Sequence, residues 1–526
     1  MKNTSFNSEL QNELVMSETV QTENGATMHA STGKTFLDAF WKISSCRNLV
    51  EDEIIKIFAP CFREDFELAC RMLFYIRDCR KGCGEKRTFN ILFKWLLSKN
   101  ELAEKLIELI PEYGSWKDMV LLANQTKNKR IYIAIMKQLE SDLKNFKDSK
   151  PISLLAKWLP SINTSSKDTV KMAENFCKLL KFSKKKYRKM LSALRNHLNI
   201  IECKMCANKW GEIDYNSVPS KANVIYKDAF IKHDEERRTT YLKKLREHDS
   251  SVKINTSVLE PYEIVHKYSG FMNARSKDES LELLWENLPR TNVLKGKNMI
   301  CVHDNSGSMS SCVSQNGNVT CRDVADSLAI YCSELLSGPW ANKFITFSEN
   351  PKIVDLTDDE SLQSKLRSLY KKVEIANTNI KAVFDLILNV AVKNHVNQEE
   401  IPDVLVLSDM EFDSCVTDSY DCDSWYRKSL DSKKMKTLFE NISEQYAEYG
   451  FKMPRLIFWN IGSRTMGIPV RENENGVMLV SGFSKNVFKM VASGNLDPFD
   501  ALKEQLNSPR YDMVKYALDG QIGSEP

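Results

Sequence analysis

The stretch Met299-Ile-Cys-Val-His-Asp304-Asn-Ser306-Gly-Ser308-Met309 decides how this chain folds. Four apolar residues make a short buried strand. An acid then ends it, and a glycine-containing turn offers two hydroxyls at alternate positions. Comparable apolar runs occupy 343–347, 404–407 and 455–459, with helical patterns over 324–336, 380–392 and 435–449. Short buried strands alternating with helices predict a doubly wound parallel sheet. Ligands of such sheets gather beyond the carboxyl ends of the strands, which is where Asp304, Ser306 and Ser308 are expected.

Two features downstream extend this pattern. Asn377-Thr378-Asn379 places a hydroxyl just before a helix, and the 404–407 run leads into Ser408-Asp409, a carboxylate at the end of a second strand. A hard cation such as Mg²⁺ takes oxygen ligands in near-octahedral geometry and needs only one or two carboxylates. Turns favour Asp, Ser and Gly in any case, so the first segment alone is weak; the ordered Thr and Asp give it weight. His303 alternates away from Asp304 along the strand and reads as a packing residue. Asp413, Asp418, Asp421 and Asp423 form an acidic stretch that reads as a solvated insertion.

Together these residues resemble the von Willebrand factor A domain and its metal-ion-dependent adhesion site, D-x-S-x-S followed by a distant Thr and Asp. Asp304, Ser306 and Ser308 match the first segment, Thr378 the threonine and Asp409 the later acid, over about residues 297–507. The resemblance implies a bound Mg²⁺ or other divalent cation, completed by water or by an acidic group of a protein partner. It implies adhesion without catalysis.

Residues 1–33 are polar and poor in large apolar side chains, and read as a flexible tail. From Phe36 to about Ile200, apolar residues recur at helical spacing, for example Phe66, Met72, Leu73 and Ile76, then Tyr187, Met190, Leu191 and Leu194. Breaks at Gly82-Cys-Gly84, Pro111-Glu-Tyr-Gly114 and Ser149-Lys-Pro151 suit stacked antiparallel helix pairs, a HEAT-like array. The expected organisation is an α + α/β protein with a tail at 1–33, a helical domain at 34–295, an A-type domain at 296–510 and a second tail at 511–526.

Two basic clusters stand out in the helical half. Arg77, Arg80, Lys81, Lys86 and Arg87 surround a glycine-rich turn, and Lys184, Lys185, Lys186 and Arg188 fall within a nine-residue run holding six cations and no acid. Such groups contact phosphates, and neighbouring aromatic faces can stack on unpaired bases. A solvated helix face is the plainer reading of either cluster alone. A helical array with a basic glycine-rich turn before an A domain is similar to the TROVE architecture of the Ro ribonucleoproteins. The strings Ile76-Arg-Asp78, Tyr113-Gly-Ser-Trp-Lys-Asp118, Val218-Pro-Ser220 and Leu407-Ser-Asp-Met-Glu-Phe412 look closer still to a relative of that family found in plants, fungi and large DNA viruses. This resemblance implies RNA held on the basic surface of the helical part. For the second cluster the assignment rests on charge alone.

The chain has 526 residues, 42% hydrophobic and 27% charged, which excludes wholesale disorder. A net charge of +4 is too small to announce a nucleic-acid binder, so any polyanion site must come from clustering. No long apolar window suggests a membrane span and no apolar leader is visible, so an intracellular, cytoplasmic protein (host cytoplasm or virion for a viral one) with 14 reduced cysteines is expected. Cys203/Cys206 and Cys79/Cys83 could hold zinc if the pairs met in space; isolated thiols are the simpler reading. No phosphate-binding loop, metalloprotease or nucleophile-elbow string is present, and no enzyme is expected. The alternative function is a metal-dependent protein–protein adhesion scaffold with no RNA role.

Overall fold

A computed structural model describes residues 19–268, 276–315, 317–347, 351–372, 380–412, 438–469, 477–493 and 497–521. The chain divides into two compact units, one of Met1–Glu64 with Glu260–Gln505 and the other of Asp65–Leu259 with Leu506–Pro526.

The first unit is α/β. Among the described residues its main sheet has the order β5-β4-β3-β6-β7-β8, with β3 at Met299–Asp304, β4 at Lys343–Phe347, β5 at Lys352–Asp355, β6 at Asp403–Ser408, β7 at Leu456–Asn460 and β8 at Val477–Ser481. All neighbours run parallel except β4 and β5. Strands β3, β7 and β8 are buried along their whole length, as apolar runs covered on both faces must be. The helix Cys321–Leu335 is started by a capping box in which Thr320 and Asp323 satisfy each other's backbone N–H groups. Chain order reverses between β3 and β6, so the crevice at their carboxyl ends is a topological switch point.

Sequence periodicity misses two strands of this sheet. β5 is a short antiparallel edge strand, only partly buried. β8 follows β7 with no long helix among the described residues between them, which breaks the strand–helix rhythm.

The expected tail at 1–33 is corrected over its described part. β1 (Thr19–Gln21) and β2 (Thr27–His29) form an antiparallel hairpin. His29 N–H donates to Ile468 O at 2.8 Å, and Ile468 N–H returns a bond to His29 O at 2.9 Å. Thr22 Oγ1 donates to Phe412 O at 2.6 Å, while Ala26 and Met28 join the sheet core beside Val406, Phe458 and Leu479. Burial by distant partners, invisible in local composition, offsets the ordering entropy. The helices Thr35–Trp41 and Glu51–Glu64 also belong to this unit, with Trp41 Nε1 donating to Gly467 O at 2.9 Å. The compact units therefore divide the chain differently from the expected boundary at 295/296.

The second unit is helical. Its longer helices include Phe66–Arg77, Lys86–Lys99, Trp116–Thr126, Lys129–Lys147, Lys167–Leu179, Lys184–His197 and Lys227–Arg246. Several starts carry side-chain caps. Asp65 accepts from Leu68 N–H at 2.9 Å, Asn128 from Arg130 N–H at 2.8 Å and Ser183 from Lys186 N–H at 3.2 Å. The expectation of a tail after 510 is corrected too, because that segment contributes the helix Asp512–Leu518. Its anchor is polar: Arg510 Nε donates to buried Asp78 Oδ2 at 2.7 Å, and Tyr511 stacks on Tyr113 with centroids 5.5 Å apart.

Candidate functional site

Asp304 ends β3, and Asp409 follows the last residue of the adjacent β6. Strand register aligns His303 with Leu407, so the two acids leave neighbouring strands at the same edge. Asp304 Oδ1 accepts the Ser306 N–H at 2.9 Å, and its Oδ2 accepts the Ser408 hydroxyl at 2.5 Å. The Ser306 and Ser308 hydroxyls lie 2.9 Å apart, and Asp409 is close enough for Ser308 and Asp304 to act on its carboxyl electrostatically. Four of the five expected ligand positions are thus brought together. The fifth, Thr378, lies outside the described residues, as do Asp413, Asp418, Asp421 and Asp423.

Both carboxyls are buried, and burial raises each above the ordinary aspartate value. Asp409 is pushed up to about 7, first by burial and then by the charge of Asp304. Asp409 Oδ2 has no hydrogen-bond partner among the described residues. Arg464 Nη2 stands 3.5 Å from it, an ion-pair distance too long for a strong bond. Two acids, serine hydroxyls and a buried unsatisfied oxygen make a hard donor set that fits Mg²⁺ or a similar divalent cation. Among the described residues no group of three or more His, Cys, Asp and Glu side chains gathers as a metal cage. The Cys79, Cys83, Cys203 and Cys206 thiols form no disulfide.

Sequence reasoning missed the groups that frame this site. Glu411 is buried and accepts backbone N–H bonds from Glu23 at 2.9 Å, Arg464 at 2.8 Å and Thr465 at 3.1 Å. It ties the loops after β6 and β7 to the N-terminal hairpin. Arg464 in turn bridges Glu23 Oε2 at 2.9 Å and Asp409. The only signal was the position of Glu411 and Arg464 just after apolar runs. His303 is buried on the other side of its strand, with Nε2 2.8 Å from Asp326 Oδ1. It serves as a buried polar anchor as well as a packing residue.

In the helical unit the first basic cluster splits. Arg77 is buried, and its Nη2 and Nε donate to Asp118 Oδ2 at 2.6 and 3.0 Å. Lys86 Nζ stands 3.6 Å from Asp118 Oδ1, and burial lowers its pKa. Arg77 therefore holds the fold rather than a ligand at the surface. Arg80, Lys81 and Arg87 are exposed, with Arg80 Nη1 donating to Glu112 O. The second cluster stays on the surface because Tyr187, Leu191 and Leu194 turn the opposite face of its helix into the core. Lys184 pairs with Glu174 at 2.5 Å, Lys186 lies 3.9 Å from the centre of the Phe182 ring, and Lys185 and Arg188 are exposed.

Comparison with known proteins follows this division only in part. Residues 298–513 match the family described as Domain of unknown function (DUF7788), and residues 22–136 and 165–293 match Domain of unknown function (DUF2828). The chain is similar to Uncharacterized protein L728 of Acanthamoeba polyphaga mimivirus, 28% identical over 524 residues that cover 92% of this chain and 86% of that one. Among solved structures it is similar to the Ro (RSR) protein of Deinococcus radiodurans, with a TM-score of 0.44, 12% identity, and coverage of 88% of this chain and 93% of the other. Among the described residues no helix is long and apolar enough to cross a membrane.

Proposed function

We propose that the protein is a non-enzymatic RNA-binding component of a ribonucleoprotein. Its helical unit holds the RNA backbone, and its α/β unit carries a divalent cation, Mg²⁺ or a similar ion, on Asp304, Ser306, Ser308, Thr378 and Asp409. One observation carries the RNA reading. The helical unit holds 41 Lys and Arg against 26 Asp and Glu, a net charge of +15, whereas the α/β unit holds 33 against 44, a net charge of −11. The near-neutral whole conceals a strongly basic half, and a field of that sign concentrates a polyanion. The sequence resemblance to the Ro ribonucleoproteins points the same way.

The alternative is an adhesion scaffold whose metal grips a partner's carboxylate, with no RNA. Arg464 at the rim favours it, but a unit of net charge −11 repels an acidic partner. Ultraviolet crosslinking in the native host, followed by sequencing of bound RNA and mapping of the crosslinked peptides, tests the choice. RNA crosslinked within 65–259 supports the proposal; a preparation carrying protein partners and no RNA rejects it.

A further inference from the structure

The Tyr113-Gly-Ser-Trp-Lys-Asp118 string has a structural account at every position but one. Tyr113 stacks on Tyr511, and Gly114 leaves space for Asp118, whose Oδ2 would stand 2.7 Å from an added Cβ. Ser115 Oγ donates to Asp118 Oδ2 at 2.9 Å, Asp118 holds Arg77, and Lys117 Nζ lies 4.9 Å from the centre of the Trp158 ring. That leaves Trp116. Its half-buried indole lines a cavity of about 560 Å³, within the helical unit, whose apolar wall includes Pro111 and Met119. The volume is in the range of pockets that hold small organic ligands.

The helix Lys129–Lys147 supplies polar lining groups in both senses. Gln138 Nε2 donates to Asp142 Oδ1 at 2.9 Å, which leaves Oε1 as an acceptor, and the exposed Ser141 hydroxyl both donates and accepts. The charges at the rim cancel in pairs: Glu108 stands 3.8 Å from Lys137, and Glu112 stands 2.9 Å from Arg510. A cavity of this kind favours a flat, neutral ring with hydrogen-bonding edges over a phosphate. The unit around it, at +15, favours an anionic chain attached to that ring. We propose that the Trp116 cavity takes one unpaired base of a bound RNA, stacked on the indole, while surface cations outside the cavity hold the backbone. This rests on the RNA reading above, because a base brings its phosphates with it.

The test uses the full chain and fluorescein-labelled mixed-sequence RNA, single-stranded or annealed to its complement, in anisotropy titrations. Trp116→Ala is expected to weaken single-strand binding by about 5- to 150-fold, the usual range for losing one aromatic–base stack, and to leave the salt dependence unchanged. Ser141→Trp, at an exposed helix position, fills the cavity without removing any packing and should give the same loss. Duplex binding should not change with either variant. If both variants bind single strands as the wild type does, the cavity proposal is overturned while the RNA reading stands. Trp116→Ala could also lower the melting point and weaken both RNA forms while Ser141→Trp binds normally. In that case Trp116 is structural and the proposal again fails. A wild-type chain that binds neither RNA form removes the RNA reading itself.

Discussion

Holding Asp409 ionised in a buried site beside Asp304 has a thermodynamic consequence that can be measured. Burial, then the charge of Asp304, moves its carboxyl from 3.8 to about 7. A carboxyl raised in the folded state binds its proton more tightly there than in the unfolded chain. Its contribution to stability is full below the unfolded value and is lost as pH rises through the folded one. A shift of roughly three units, at about 1.4 kcal/mol each, makes the loss about 4 kcal/mol between pH 4 and pH 8. Asp409→Asn removes the titrating group and keeps its shape. Unfolding of wild type and variant, followed by calorimetry in chelator from pH 4 to pH 8, should show the variant gaining on the wild type by roughly that amount as pH rises. Millimolar Mg²⁺ should close the gap above pH 7 by supplying the missing positive charge to the wild type alone. A difference between the two proteins that stays constant with pH would refute the effect of burial, and an Mg²⁺ response equal in both would refute the proposed ligand role.

Arg77→Ala leaves Asp118 buried without its main partner and should cost about 3–5 kcal/mol in chemical unfolding, with RNA affinity per folded molecule unchanged. A stable variant with weakened RNA binding would return Arg77 to the binding surface. Gly114→Ala forces a Cβ to within 2.7 Å of Asp118 Oδ2 and 3.1 Å of Ile110 O, and should lower stability by about 1–3 kcal/mol. An unchanged melting point would contradict that packing. Glu411→Gln keeps the shape of the side chain but removes the charge that several N–H groups converge on. It should expose the 19–29 hairpin to faster amide hydrogen exchange while β3 stays protected.

The alternation of strand and helix was legible because the parallel strands are buried on both faces and so read as continuous apolar runs. The Asp304 turn and Asp409 were legible for the same reason, since each follows such a run directly. What stayed hidden depends on partners far along the chain. The 19–29 hairpin is ordered by Phe412 and Ile468 almost four hundred residues on or more, and its own composition is that of a tail. A buried Arg77 and an exposed one have the same sequence; Asp118, 41 positions later, decides between them. Glu411 reads as one more acid until the loop at 463–465 folds over it. The charge asymmetry escaped because opposite surpluses cancel in the total, and because the boundary between the units only becomes visible once residues 506–521 return to the helical part.

Counterion release gives the most direct test of a backbone-holding helical unit. The measurement is the dissociation constant for single-stranded RNA, taken from 50 to 300 mM salt, for the intact chain and for Lys185/Lys186/Arg188→Ala. The expected result is a steep linear fall of log affinity with log salt, and a slope shallower by about two in the variant, at roughly 0.7 for each phosphate no longer neutralised. Affinity indifferent to salt, or a slope identical in the two proteins, would contradict a helical unit that binds RNA through its phosphates.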